Sequence, residues 1–140
     1  MAWMIFVRPR GIGVGLVLFW FAAVAAAENR GAADDANKRV DYARDIKPLL
    51  AQNCVRCHGP KKQKSDLRVD SGKGLLAGGK IGPAVIAGKG EKSPLVQAIL
   101  GTSNDIVAMP PTGEGEPLSD EQAALVRRWI DEGAKFPAGE

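Results

Sequence analysis

The sequence is poor in the residues that build most sites and most cores. It has two cysteines, one histidine and one tyrosine in 140 residues. Two cysteines exclude a disulfide-rich miniprotein and a four-cysteine zinc site. The 19 Lys and Arg against 16 Asp and Glu leave a net charge of only +3, with both signs spread along the chain. No basic stripe interleaved with aromatics is present, so nucleic-acid binding is not expected. Apolar residues make up 45% of the chain, which excludes wholesale disorder. A length of 140 residues fits one domain.

One apolar run is long enough to interact with a membrane, and it lies at the N-terminus. Arg8 and Arg10 precede it, Gly11 to Ala27 is unbroken, and Ala25-Ala26-Ala27 gives small residues before the polar Glu28-Asn29-Arg30. This is the pattern of a secretory signal peptide spanning 1–27. The rival reading is an uncleaved anchor, a membrane tether through residues 11–27. Either way the remainder is expected outside the cytoplasm, in the periplasm, with the arginines left inside. Cleavage after Ala27 removes Trp3, Phe6, Phe19, Trp20 and Phe21, leaving Tyr42, Trp129 and Phe136 as the aromatics. A domain of this size usually draws more of its core from aromatics. Something other than side chains is therefore expected to fill the middle, and the chain without it is expected to fold poorly.

The exported part divides into a polar leader at 28–39 and a domain at 40–136. Asp45 is the expected N-cap of a first helix containing Ile46, Leu49, Leu50 and Asn53. Ser71 can cap one turn reaching Leu76. Ser93-Pro94 starts a helix that Gly101 stops, with Leu95, Val96, Ile99 and Leu100 on its apolar face. Ser119 and Gln122 form a capping box for the last helix, where Val126, Trp129 and Ile130 recur at helical spacing. The segment 80–92 reads as loop. The expectation is all-α: three or four short helices, no strand ladder, and loops too long for a self-sufficient core.

Cys54-Val55-Arg56-Cys57-His58 is a C-x-x-C-H motif, the pattern of c-type haem attachment. The spacing lets both thiols reach the two vinyl groups on one porphyrin edge and carries His58 beneath the iron. His58 is the only histidine, and Met109 is the only methionine beyond residue 27. Electron-transfer cytochromes take His and Met as axial ligands. Met109 follows His58 by 51 residues, in a loop stiffened by Pro110 and Pro111. A structural or catalytic disulfide is the competing reading of the cysteines, but the βαβ background of thioredoxin-like chemistry is not visible. Zinc would need four converging ligands, which five consecutive positions do not easily supply. Met109 as plain core filler is the competing reading there. Lys61, Lys62 and Lys64 form either a solvated loop or a cationic rim that steers an acidic partner. Arg68 is a candidate partner for a haem propionate. Trp129 reads as core near the haem, its N–H able to reach a propionate.

The stretches DIKPLLAQNCVRCHGP, LRVDS, GPAVIAGKGEKSPLVQAIL and MPPTGEGEPLSDEQAALVRRWIDEGA resemble the planctomycete-type cytochrome c domain, over about Val40 to Ala134. The resemblance implies a small class I-like cytochrome c fold, three to five short helices and long loops around one covalent haem c. By motif match, Cys54 and Cys57 would form the thioethers, His58 the proximal ligand and Met109 the distal ligand. Family members often support the histidine ring with a proline; here Pro60 and Pro83 are both candidates. The family's domain usually precedes further domains, whereas this chain ends at Glu140. A free-standing chain would favour an electron carrier, not an enzyme, exchanging electrons with a redox protein donor and acceptor; a fragment would leave its role as an enzyme's electron-input module open. The alternative is a haem-based ligand sensor or weak peroxidase with a labile Met109.

Overall fold

The computed structural model describes residues 38–140. The expected signal peptide or anchor, 1–27, and nearly all of the leader lie outside them. Residues Arg39–Glu140 form one compact unit. It is helical, with no strand among the described residues; the two bridges present, His58–Gln63 and Gly79–Gly82, are isolated. No helix among the described residues is long and apolar enough to cross a membrane.

The first helix starts earlier than Asp45. Asp41 is the cap, accepting from the Arg44 N–H at 2.8 Å, and Asp45 reaches back to the Asp41 N–H at 2.8 Å. A π-helical turn, Tyr42–Ile46, leads into α1, Lys47–Asn53. Two aspartates four residues apart each satisfy a donor of the first turn, and spacing alone did not show which was the cap.

The helix α2, Gly72–Ala77, is capped by Ser71 as expected, its hydroxyl accepting from the Gly74 N–H. Helix α3, Pro94–Leu100, runs from Ser93 to a left-handed Gly101 at φ 61°. Ser93 occupies the cap position, but its hydroxyl works elsewhere. It accepts from the Ile86 N–H at 2.9 Å and donates to the Lys89 carbonyl at 3.0 Å, bracing the preceding loop, which the Gly88 N–H also ties to Ile130 O and the Gly90 N–H to Asp131 Oδ1. Helix α4, Asp120–Asp131, carries the complete Ser119/Gln122 capping box. Short 3₁₀ turns at Lys64–Asp66 and Gly90–Lys92 interrupt the loops.

The apolar faces of these helices meet in one core with Ile46, Leu50, Leu75, Val126, Trp129 and Ile130 at its centre. The three aromatics gather at one place in it. Tyr42, Trp129 and Phe136 form a triangle with ring centroids 4.8–5.4 Å apart. The Trp129 indole N–H donates to the Lys135 carbonyl at 3.2 Å, so it is not available to a propionate. This triangle joins the N-terminal helical segment to α4 and leaves the other half of the domain without aromatic filling.

Candidate functional site

The cysteine-histidine motif follows directly on α1. The Cys54 N–H bonds Leu50 O at 2.9 Å and the His58 N–H bonds Cys54 O at 2.9 Å, so the helical path continues through the motif. The chain then folds back tightly. Gly59 N–H bonds Lys62 O at 2.8 Å, and Lys64 N–H bonds Cys57 O at 3.0 Å. This return needs a glycine at 59, where a Cβ would lie 2.4 Å from Val55 O.

The turn brings the Lys64 carbonyl to 3.0 Å from His58 Nδ1. A carbonyl only accepts, so Nδ1 carries the proton and Nε2 keeps its lone pair. Histidines that bind metal are held in this way, with the second nitrogen donating to a backbone carbonyl or carboxylate. His58 is buried, at 8% exposure. Pro60 and Pro83 are both exposed; the ring's hydrogen-bond partner is a backbone group that no residue type could have revealed.

Cys54, Cys57 and His58 face an apolar cleft. Leu67, Val69 and Ala84 form part of its wall, Leu95, Ala98 and Ile99 another part, and Met109 with Pro110 and Pro111 a third. The cleft is concave and lined mostly by apolar side chains, the usual character of a cofactor site. Met109 reaches it from a loop pinned to α3 by a 2.8 Å bond from the Met109 N–H to Ala98 O. The Met109–Pro110 peptide is cis. All four residues expected from the sequence thus line one cavity.

Both cysteines are free thiols. Burial pushes the Cys54 thiol up to about 11. Catalytic redox thiols are shifted the other way, by nearby positive charge or a helix terminus. Among the described residues no three His, Cys, Asp or Glu side chains converge as a metal cluster. Arg68 is not on the cleft. Asp70 holds its guanidinium in two bonds, at 2.9 and 2.5 Å, and the same pairing holds the Asp70 carboxyl below its ordinary range.

Two features were not expected. Arg56, the variable residue before Cys57, bonds the Glu114 carbonyl and lies 3.6 Å from its carboxylate. Ser65 and Asp66 both have left-handed backbones, φ 56° and 59°, where the Lys80 N–H meets Ser65 O at 3.0 Å.

Residues 54–113 match the family model described as planctomycete cytochrome C. The match runs from the first cysteine of the motif to just beyond Met-Pro-Pro, so this segment is similar to the cytochrome c domains of that family. No curated protein and no solved structure matches the chain significantly. The family implies haem c, and the residues present fit it. Two thiols at C-x-x-C spacing, a histidine with Nε2 free and a thioether share one apolar cleft that no side chain fills.

Proposed function

We propose that this chain is an exported mono-haem c-type cytochrome that carries single electrons and is not an enzyme. On this reading the domain has the class I-like cytochrome c fold, Cys54 and Cys57 hold the haem by thioethers, and His58 and Met109 are its axial ligands. The observation that carries the reading is the convergence of these four side chains on one apolar cleft. When bound, the haem iron supplies a one-electron redox couple. The protein's part is to hold and shield it. Lys64 O fixes the His58 ring, and Ala98 O fixes the backbone of Met109. The apolar walls keep water out and penalise the added charge of the oxidised state, which raises the potential, as does a thioether ligand.

The partners are a redox donor and acceptor. Lys61, Lys62, Lys64 and Lys80 are all exposed around the haem-motif turn, and this basic surface suits an acidic partner steered in by charge. Export rests on the 1–27 pattern, and the periplasm is the compartment that suits it.

The test is the visible spectrum of the protein made in a host with a c-type haem assembly system. A low-spin, six-coordinate spectrum with negligible carbon monoxide binding is expected, with Met109→Ala opening the iron while the haem stays attached. Ready carbon monoxide binding by the parent protein would replace the carrier by a sensor or weak peroxidase.

A further inference from the structure

The loop that carries Met109 is held at two places. On one side the Met109 N–H bonds Ala98 O, on α3, at 2.8 Å. Beyond Pro111 it has no such anchor. The Glu114 N–H turns inward to Pro111 O, and Gly113 and Gly115 are both in left-handed or near-limit positive φ. Among the described residues, the hydrogen bonds that leave the 110–118 stretch for another part of the fold come from Arg56.

The charge pattern supports this pairing. From Gly101 to Val126 the chain carries Asp105, Glu114, Glu116, Asp120 and Glu121, with no Lys or Arg. On the other side Arg56 and Lys80 line the cleft, and the exposed Lys61, Lys62 and Lys64 lie on the turn that follows the motif. The two sides attract, and Arg56 to Glu114 is where they touch. Arg56 is 70% and Glu114 51% exposed, so the contact is open to salt.

We infer that Arg56 is a positioning residue for Met109, a latch that closes the acidic Met109 loop over the haem cleft from within the haem-attachment motif itself. Arg56 touches neither ligand. It acts by lowering the population of loop conformations in which Met109 leaves the iron. Both contacts are made by Arg56 Nη2, which donates to the Glu114 carbonyl and faces its carboxylate; a lysine keeps the charge but not the planar guanidinium. The inference rests on Met109 being the axial ligand.

The test compares Arg56→Gln, Arg56→Lys and Glu114→Lys with the parent protein and with Met109→Ala, all in the haem-loaded form. Two readouts are used: carbon monoxide binding to the reduced protein, and hydrogen exchange of the Met109 amide. Exposed charged contacts of this kind shift such equilibria by roughly 1.5-fold to fivefold. Arg56→Gln is expected to raise both readouts by about that factor, and Arg56→Lys by less. Glu114→Lys leaves the haem motif untouched, so it reports even if Arg56 variants fail to take up haem. It is expected to raise both readouts further, by placing two cations together. In the parent, added salt is expected to speed exchange of the Met109 amide. If Arg56→Gln and Glu114→Lys match the parent while Met109→Ala opens the iron, the latch is wrong and the ligation stands. If Met109→Ala itself changes nothing, the ligation is wrong and the latch falls with it.

Discussion

His58 Nδ1 lies 3.0 Å from the carbonyl oxygen of Lys64, six residues further along the chain. The bond sets the imidazole tautomer from the backbone of a tight return, and it leaves Nε2 as the ring's only metal-binding atom.

Two substitutions separate this backbone role from the side chain. Lys64→Ala keeps the carbonyl and is expected to leave the haem spectrum unchanged. Gly59→Ala places a Cβ 2.4 Å from Val55 O and must shift the return. It is expected to cost about 1–3 kcal/mol in denaturant unfolding and to alter the ligand-field spectrum. A spectral change in Lys64→Ala without one in Gly59→Ala would show that the side chain, not the backbone, governs the ring.

The aromatic triangle should respond in two steps. Trp129→Phe keeps a ring but removes the bond to Lys135 O, and is expected to cost about 1 kcal/mol. Trp129→Ala empties the centre of the core and is expected to cost about 3–5 kcal/mol. Equal costs in urea unfolding would mean that the indole N–H, not the packing, holds this corner.

Tyr42 provides a pH test. Its hydroxyl is buried with no hydrogen-bond partner among the described residues, and burial, then the charges of Glu140 and Asp70, push it up to about 12. An unfolded tyrosine titrates near pH 10. The folded form therefore holds a proton that the unfolded chain releases. Its contribution is complete below about pH 10 and is lost as pH rises through about 12. Tyr42→Phe removes this alkaline loss. Because the hydroxyl is unsatisfied, the same change is expected to be neutral or stabilising at pH 7. Tyr42→Phe unfolding in step with the parent from pH 9 to 12 would contradict the assignment.

The parts of the protein legible in its sequence are those where a residue type has one strong use. Ser119 and Gln122 cap a helix, Gly101 ends one, and Cys54, Cys57, His58 and Met109 line the same cavity. What could not be read depends on backbone groups or on competing partners. The support for His58 is a carbonyl, and Arg68 is captured by Asp70 two residues away. Trp129 turns its N–H to Lys135 O, a loop position with no distinguishing residue type. The Arg56–Glu114 contact joins residues 58 apart, where neither the motif's variable position nor a loop glutamate signals the other. Few aromatics implied a middle filled by something else, and the structure divides the question. The three aromatics pack one half, and the cleft lies in the other.

That division shapes what is expected of the chain without haem. In Cys54→Ser/Cys57→Ser the Tyr42–Trp129–Phe136 half is expected to retain protected amides, while Leu67, Ile99 and the Met109 loop exchange rapidly. The variant should melt broadly. A sharp, cooperative melt with uniform protection would mean that haem contributes little to the core.

The most direct test is whether haem is covalently bound to Cys54 and Cys57. The protein is made in a host that assembles c-type haem, denatured, and extracted with acidified solvent, and the reduced α-band of the polypeptide fraction is recorded. Haem that stays with the chain at a band typical of two thioethers, and is lost from Cys54→Ser/Cys57→Ser, is the expected result. A colourless chain, or haem that extracts freely, would contradict it and return the two cysteines to thiol chemistry.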